Sequence, residues 1–596
     1  MTETQHKELL LALAKQVPRF ALSVACIDPQ AGVIEPLVRA GGASFTSYAQ
    51  GVALSPGLHD CYLIGMEAEA YLRNDPYIGD ILAHLSSNGM LISLLPSRYA
   101  DGLSTELEAT LEAAGLVLLR ILPVNENWPG FVFARASYDP INHARQLGDA
   151  GMPVRAIRVL DWMEHYTPLK PRARATVALK KLNYYRAAVE HVDTQNHSML
   201  FHAQKEFHIA VHEWPKSARA CIDQAAIWRG YGNDDYAARL LRSLHHVTLD
   251  VAVAEALAQC TPERTPQPPV ETSPEWTGNK RAPRVLVLTH DYSDYGMDTL
   301  YDGLCQVLGK DNVVEWPWKP TLHGRDKDAA VNYPCWFEYP GEPQSVDDLV
   351  QDLCDGRFDL IVFADFVQMN KQDHILRMLN AAPDVPVVVY DPWDDGSATQ
   401  DSAREYLGGR PIAAYFKREM LACLDYGPNA YPLPFGYPDR HVPTALPERR
   451  DTDLFWAGKR LFGTRTLYLD RLNEVLGRTL DQKLSQEEYR RAIATARMGL
   501  SFFGFGFDTV RYWELAAHGC MILAERPCIR IPFNFVEGES AVFFDDLPEL
   551  EEKLAYYLAQ DDEAERIGRA GREHFLKYHT TSARARQFLG RVEYLI

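Results

Sequence analysis

Short runs of continuous apolar residues recur along the chain, and most are followed by a stretch with helical periodicity. In the first quarter these runs are ALSVACID (21–28), HDCYLIGM (59–66), GMLISLLP (89–96) and GFVFARA (130–136). Helical patterns such as AYLRNDPYIGDILAHLSSN and STELEATLEAAG lie between them. Strands alternating with helices predict a parallel sheet. From about 142 to 251 the strand-like runs stop and a helix-period pattern takes over. They return as RVLVLTH (284–290), FDLIVFAD (358–365) and VPVVVYD (385–391). A second series follows: DTDLFWAG (451–458), ARMGLSFF (496–503), GCMILAE (519–525) and SAVFFDD (540–546). Continuous Val/Ile/Leu content suits strands covered on both faces. Two doubly wound α/β units in series make a cleft between them, and ligands of such sheets bind beyond the carboxyl ends of the strands.

One segment interrupts the pattern. TPERTPQPPVETSPEWTGNKRAP (261–283) holds six prolines and almost no aliphatic residues. It is expected to be an extended, solvated linker. The predicted organisation is therefore an α/β domain over 1–140, a helical region over 141–260 and the linker over 261–283. Two Rossmann-like lobes follow, over 284–440 and 441–596.

Composition narrows the function. At 46% hydrophobic and 24% charged, the chain is an ordinary globular one. Its net charge of −19, without a long basic run, disfavours nucleic acid as partner. The opening MTETQHKELLLALAKQVPRF reads as neither a secretory signal nor a membrane span, and no later stretch is apolar for ~18 residues. The ten cysteines are scattered and form no CxxC pair, which fits reduced thiols in a cytoplasm.

The most informative stretch is MGLSFFGFGFDTVRYWELAAHGCMILAERPCIRI (498–531). A strand leads into the loop Gly504-Phe505-Gly506-Phe507. Asp508 reads as an N-cap, a helix spans 509–518, and Gly519 reads as its C′ residue. Glycines admit close backbone approach and a helix N-terminus attracts anions, so the arrangement suits a diphosphate. His208 and His212 stand four apart, but they make no HExxH and no third ligand is evident, so a structural role is expected.

FDTVRYWELAAHGCMIL, continued by VEGESAVFFDDLPELEEKLAYYLAQDDEAERIGRAGREHFLKYHTTSARA, resembles the spore-maturation-type (CgeB-like) glycosyltransferases. AYFKREML (414–421) and YPLPFGYP (431–438) fit the same resemblance. It implies a glycosyltransferase-B fold distantly related to retaining family-4 enzymes. The implied activity is metal-independent transfer of a hexose-like sugar, with a UDP-, GDP- or dTDP-sugar as co-substrate and no other cofactor. Glu514 matches the second glutamate of the family-4 E-x7-E pattern, which holds the donor ribose; the first would fall at Gly506 and is absent. Arg511 is a candidate for phosphate or ribose contact, and Lys459, Arg460 and Arg465 for neutralising the leaving diphosphate. Gly504, Gly506, Asp508 and Thr509 complete the donor side. In the first lobe His290, Asp291 and Asp298 are candidate bases. Asp391, Trp393, Asp394 and Asp395 are candidates for sugar or acceptor contact.

Residues 77–136 resemble the second half of a class I methyltransferase. The glycine loop for S-adenosylmethionine is missing, so a degenerate, non-methylating domain is expected. LGDAGMPVRAIRVLDWM and IWRGYGNDDYAARLLRSL resemble tetratricopeptide repeats. Their separation is not a whole multiple of the ~34-residue period, and an irregular helical spacer is the plain alternative. Repeats imply a protein acceptor, such as flagellin, held on a helical surface; a surface glycan is the other acceptor expected. The rival function is a catalytically inactive scaffold that binds partners through the same helices.

Overall fold

The computed structural model describes residues 2–596 except 49–56, 66–67, 74, 101, 123, 125–126, 192–196, 261–270, 279–280, 330–334 and 365–370. The chain divides into two compact units, 1–191 and 192–596.

Among the described residues the first unit holds six strands: β1 (Ser23–Ile27), β2 (Ser44–Tyr48), β3 (His59–Ile64), β4 (Leu85–Leu94), β5 (Leu116–Leu122) and β6 (Gly130–Arg135). They lie in the order β2-β1-β3-β4-β6-β5. The β1 to β4 pairings are parallel, and β6 runs antiparallel to both β4 and β5. A final hairpin therefore closes an otherwise parallel sheet. Helices lie between these strands, and three more, Pro140–Asp149, Pro153–Tyr166 and Pro171–His191, end this unit.

The second unit begins with helices Ser198–Glu213, Ala218–Gly230, Asp234–Thr248 and Val251–Ala258. The helical stretch expected over 141–260 is thus shared between the units. Local chemistry sets these helices. Ser217, Asn233 and Asp250 each cap a start by accepting a backbone N–H of the first turn.

Two parallel sheets follow. The first contains β7 (Val285–Leu288), β8 (Val313–Trp316), β9 (Leu360–Phe363), β10 (Val387–Asp391), β11 (Ala414–Lys417) and β12 (Ala430–Pro432), in the order β12-β11-β10-β9-β7-β8. The second contains β13 (Thr452–Phe455), β14 (Ala496–Ser501), β15 (Met521–Glu525) and β16 (Val542–Phe544), in that order. β7, β9, β10 and β11 are buried at every position, which explains their unbroken apolar sequences. Asp365, at the end of the run expected for β9, lies outside the described residues.

Two domain boundaries differ from expectation. Of the expected linker, residues 261–270 lie outside the described residues, while 271–278, mostly exposed, are anchored at several points. The Phe533 N–H donates to the Glu271 carbonyl at 2.7 Å, and the Trp276 N–H donates to the Arg586 carbonyl at 2.9 Å. The Trp276 ring joins the core of the first lobe. The proline pattern reports lost helix and strand propensity but is silent about one anchoring indole. Likewise the last helix, Thr581–Val592, does not stay with the second lobe. Its Phe588, Leu589 and Val592 enter the first lobe's core, against helix Tyr295–Leu308. The approach is close enough that a Cβ on Gly303 would stand 2.0 Å from the Thr581 carbonyl oxygen. Among the described residues, no helix is long and apolar enough to cross a membrane.

Candidate functional site

β14 ends in the glycine loop, and helix Val510–Ala517 begins just beyond it. The helix ends as the sequence implies. Gly519 sits at φ +68, its N–H donates to Ala516, and the Cys520 N–H donates to Leu515. The start differs. Thr509, not Asp508, is the N-cap residue, and its side chain makes no capping bond. The Asp508 carboxylate instead accepts the Phe435 N–H at 2.7 Å and the Trp513 indole N–H at 2.8 Å. It ties the interlobe segment 431–438 to the helix. A capping sequence cannot show that a more distant donor outcompetes the helix's own N–H groups.

The loop itself is held by a residue that sequence reasoning passed over. Glu419, two residues past β11, accepts the Phe507 N–H at 2.9 Å and the Asp508 N–H at 3.0 Å. A Cβ on Gly506 would lie 2.3 Å from Glu419 Oε1. Glycine at 506 is therefore what lets the Glu419 carboxylate reach the loop. Burial pushes that carboxyl up to about 7, against the opposing pull of Arg418. Arg418 pairs with Glu419 at 3.1 Å and also with Asp394, while its guanidinium lies 4.3 Å from the Phe435 ring centroid.

A cleft of about 780 Å³ opens here. The first lobe contributes Tyr295, Asp394, Arg418 and Phe435. The second contributes Lys459, Arg465, Gly504, Gly506, Asp508, Thr509, Arg511 and Glu514, with Tyr489 and the 482–486 segment behind them. Most of the donor-side residues expected from sequence thus meet in one place.

Arg465 is 7% exposed. It donates to the Lys459 and Phe502 carbonyls, each at 3.0 Å. Its guanidinium lies over Trp456 and Phe462, with centroids at 5.5 and 5.8 Å. Burial, reinforced by the positive field of Arg511, pushes it down to about 9. Arg511 donates to the Ala457 carbonyl and stacks over Trp456 at 4.4 Å. Neither guanidinium has a carboxylate within 4 Å among the described residues, and the Nε of each is buried without a partner. A buried guanidinium beside a second, half-buried one is an arrangement suited to an anion. Glu514 is buried on the same wall and accepts the Tyr489 hydroxyl at 2.7 Å. Burial raises its pKa above the ordinary carboxylate range.

Other expected residues go elsewhere. Arg460 is committed to Asp470 and Asp481 and does not line the cleft. Asp391 is fully buried and accepts Lys417 Nζ at 2.7 Å, Tyr415 at 2.9 Å and Thr399 at 2.6 Å, so it is structural rather than acceptor-facing. Trp393 is half-buried behind it and Asp395 accepts the Ser397 N–H; neither lines the cleft. Of that segment only Asp394 does. The three candidate bases are also outside. His290 is buried and stacked on Tyr292 at 3.8 Å. Asp291 is exposed and pairs with Lys371 at 3.2 Å. Asp298 forms a buried pair with Lys319. Their position after β7 suggested the cleft, but His290 and Asp298 are buried within the first lobe and Asp291 faces solvent.

Both ring nitrogens of His208 face backbone groups of the cleft loops. Its Nδ1 accepts the Gly463 N–H at 2.6 Å, and its Nε2 faces the Phe505 carbonyl at 3.3 Å. Burial pushes it down to about 4. The unfolded chain therefore binds the proton more readily between pH ~6.5 and about 4. This contribution to stability is complete above pH ~6.5 and is lost as the pH falls toward 4, by about 3 kcal/mol. Chemical denaturation across that range should show a decline in the wild type that is visibly flatter in His208→Asn. Equal slopes would reject the assignment.

Residues 456–590 match the glycosyl transferase-like family. The matched segment carries Arg465, the glycine loop, Arg511 and Glu514, and ends within helix Thr581–Val592. The preceding lobe adds the six-stranded parallel sheet to the four-stranded one of the matched segment. Solved structures similar to this chain include a glycosyltransferase from Rickettsia africae ESF-5, at 8% identity and TM-score 0.35 over 52% of this chain and 98% of that one. Another is HepE from Anabaena in complex with UDP-glucose, at 11% and 0.33 over 52% and 99%. A third is an alpha-glucosyltransferase in complex with UDP and a 13-mer DNA, at 11% and 0.36 over 53% and 100%. No curated protein matches the chain.

Proposed function

We propose that the cleft binds a nucleoside-diphosphate sugar and transfers its sugar to an acceptor entering beside Asp394 and Tyr295. The observation that carries this is the pair of carboxylate-free guanidiniums, Arg465 and Arg511, on the same wall as Glu514. In the reaction the bond from the anomeric carbon to the diphosphate oxygen breaks, and the electron pair leaves with the diphosphate. A bond from the acceptor atom to the anomeric carbon forms, and the acceptor's proton passes to the departing diphosphate oxygen. Arg465, Arg511 and the exposed Lys459 neutralise the charge that grows on the leaving group. The N–H groups opening helix Val510–Ala517 add to this. Glu514, oriented by Tyr489, accepts the hydroxyls of the ribose diol. With this charge supplied by side chains, the reading is metal-independent transfer from a UDP-, GDP- or dTDP-hexose, as in the CgeB-like enzymes. A cytoplasmic setting and a protein or surface-glycan acceptor belong to the same reading.

A thermal-shift panel of UDP-, GDP-, dTDP- and CMP-sugars tests it. One donor at about a hundred times its Kd should stabilise the wild type by ~2.7 kcal/mol. The same donor should leave Glu514→Ala unshifted. No shift of the wild type with any donor at millimolar concentration would overturn the proposal.

A further inference from the structure

Helix Ser198–Glu213 belongs to the sequence long before the lobes, yet one of its faces touches two loops of the cleft. His208 is the centre of that contact. Its Nδ1 accepts the Gly463 N–H, so the neutral ring carries its hydrogen on Nε2, which faces the Phe505 carbonyl. Gln204, one turn earlier, donates Nε2 to the same carbonyl at 3.0 Å. Phe201, nearly one further turn back, meets the Phe505 ring edge-on at 5.4 Å. Positions 201, 204 and 208 share a helix face. The same imidazole packs against Phe462 at 6.1 Å and Phe505 at 5.3 Å. Phe462 and Phe505 both line the cleft.

The two loops have different duties. The 459–464 segment leads into Arg465, the buried cation. The 504–507 segment leads into the helix that carries Arg511 and Glu514. Nothing in either loop's own hydrogen bonding joins it to the other; the Gly504 N–H closes on the Gly506 carbonyl within its own loop. The Phe462 and Phe505 rings meet edge-on at 6.1 Å, and the imidazole supplies the polar link between the loops with one acceptor and one donor. A bridge of this kind sets the separation of the cation from the ribose carboxylate before any ligand arrives, and preorganisation of that sort lowers the cost of binding.

We propose that His208 is a positioning residue for the donor site, holding the 459–465 and 504–507 loops in register, and that helix Ser198–Glu213 is part of the transferase rather than a surface for the acceptor. This rests on the donor reading of the cleft. It also means that the helix face bearing 201, 204 and 208 is already occupied within the unit.

The test uses the full chain as His208→Leu, His208→Asn and wild type, with two readouts. The first is amide hydrogen exchange without ligand, which does not depend on the donor reading. His208→Leu should speed exchange at Gly463 and across 504–507 by about tenfold or more. Asparagine, whose Oδ1 takes the place of Nδ1, should keep the Gly463 amide within about threefold of wild type. The second is affinity for the stabilising donor, expected to fall about tenfold in His208→Leu and to recover in His208→Asn, with kcat at saturation changing by less than about threefold. Unchanged exchange at both loops in His208→Leu, or wild-type donor affinity in that variant, would overturn the proposal. So would a folded His208→Asn that behaves like the leucine variant. If no donor binds the wild type, the donor reading fails and the exchange readout still decides the loop contact. Should His208→Leu not fold, the partly exposed Gln204→Leu takes its place, with faster exchange across 504–507 expected and an unchanged rate overturning the proposal.

Discussion

Replacing Arg465 with methionine is expected to lower kcat/KM for sugar transfer by about 10²–10³-fold, the range for removing one preorganised donor to a developing anion. The reasons lie in its surroundings. The guanidinium is 7% exposed, is fixed by the Lys459 and Phe502 carbonyls, and has no carboxylate to satisfy among the described residues. A positive charge held this way does little for the free protein. Burial already pushes it down to about 9. Methionine fills similar space between Trp456 and Phe462 and removes the buried charge, so the melting temperature should change little while activity collapses. Arg460→Met is the matched control. That arginine answers Asp470 and Asp481 away from the cleft, so its loss should leave kcat/KM within about threefold. Steady-state kinetics with the donor found in the thermal panel decides the matter. Equal effects of the two substitutions would mean that the cations act only through the net charge of the lobe.

Lys417→Met is expected to destabilise the second unit by about 3–5 kcal/mol, the cost of stranding one member of a buried ion pair. Lys417 and Asp391 are both fully buried and stand 2.7 Å apart. Without the ammonium, the Asp391 carboxylate keeps only the Tyr415 and Thr399 hydroxyls and the Trp393 N–H. Removing both charges together, as Lys417→Met with Asp391→Leu, should recover most of the loss, because two desolvation penalties leave with the pair. Denaturant midpoints of the single and double variants measure this. If Lys417→Met unfolds at the wild-type midpoint, Asp391 is not held as the structure has it, and its role in the acceptor region reopens.

These two residues also show where sequence reading stops. Arg465 and Asp391 both follow or precede strands at their functional ends, and both looked suitable for a substrate. One faces the cleft and the other faces a lysine on the neighbouring strand β11. Nothing in the linear order separates them. His290 and Asp298 repeat the point. Their place after β7 is correct, yet both are buried within the first lobe.

What the sequence determined by itself is whatever depends on neighbours along the chain. The unbroken apolar runs specify strands covered on both faces, and Gly519 at positive φ ends its helix where a Cβ would be strained. The order strand, glycine loop, helix placed Gly504, Gly506, Arg511 and Glu514 around one anion-binding corner. Only the tertiary structure decided which distant groups answer them. It brought Glu419 to the space that glycine leaves at 506, gave the Asp508 carboxylate to Phe435 and Trp513, and set His208 between two loops hundreds of residues away. It also carried the last helix back to the first lobe's core. Local pattern fixes an element because its energetics are short-range. The partner of a buried polar group is fixed by the packing of elements far apart in the chain, where desolvation makes any unanswered group costly.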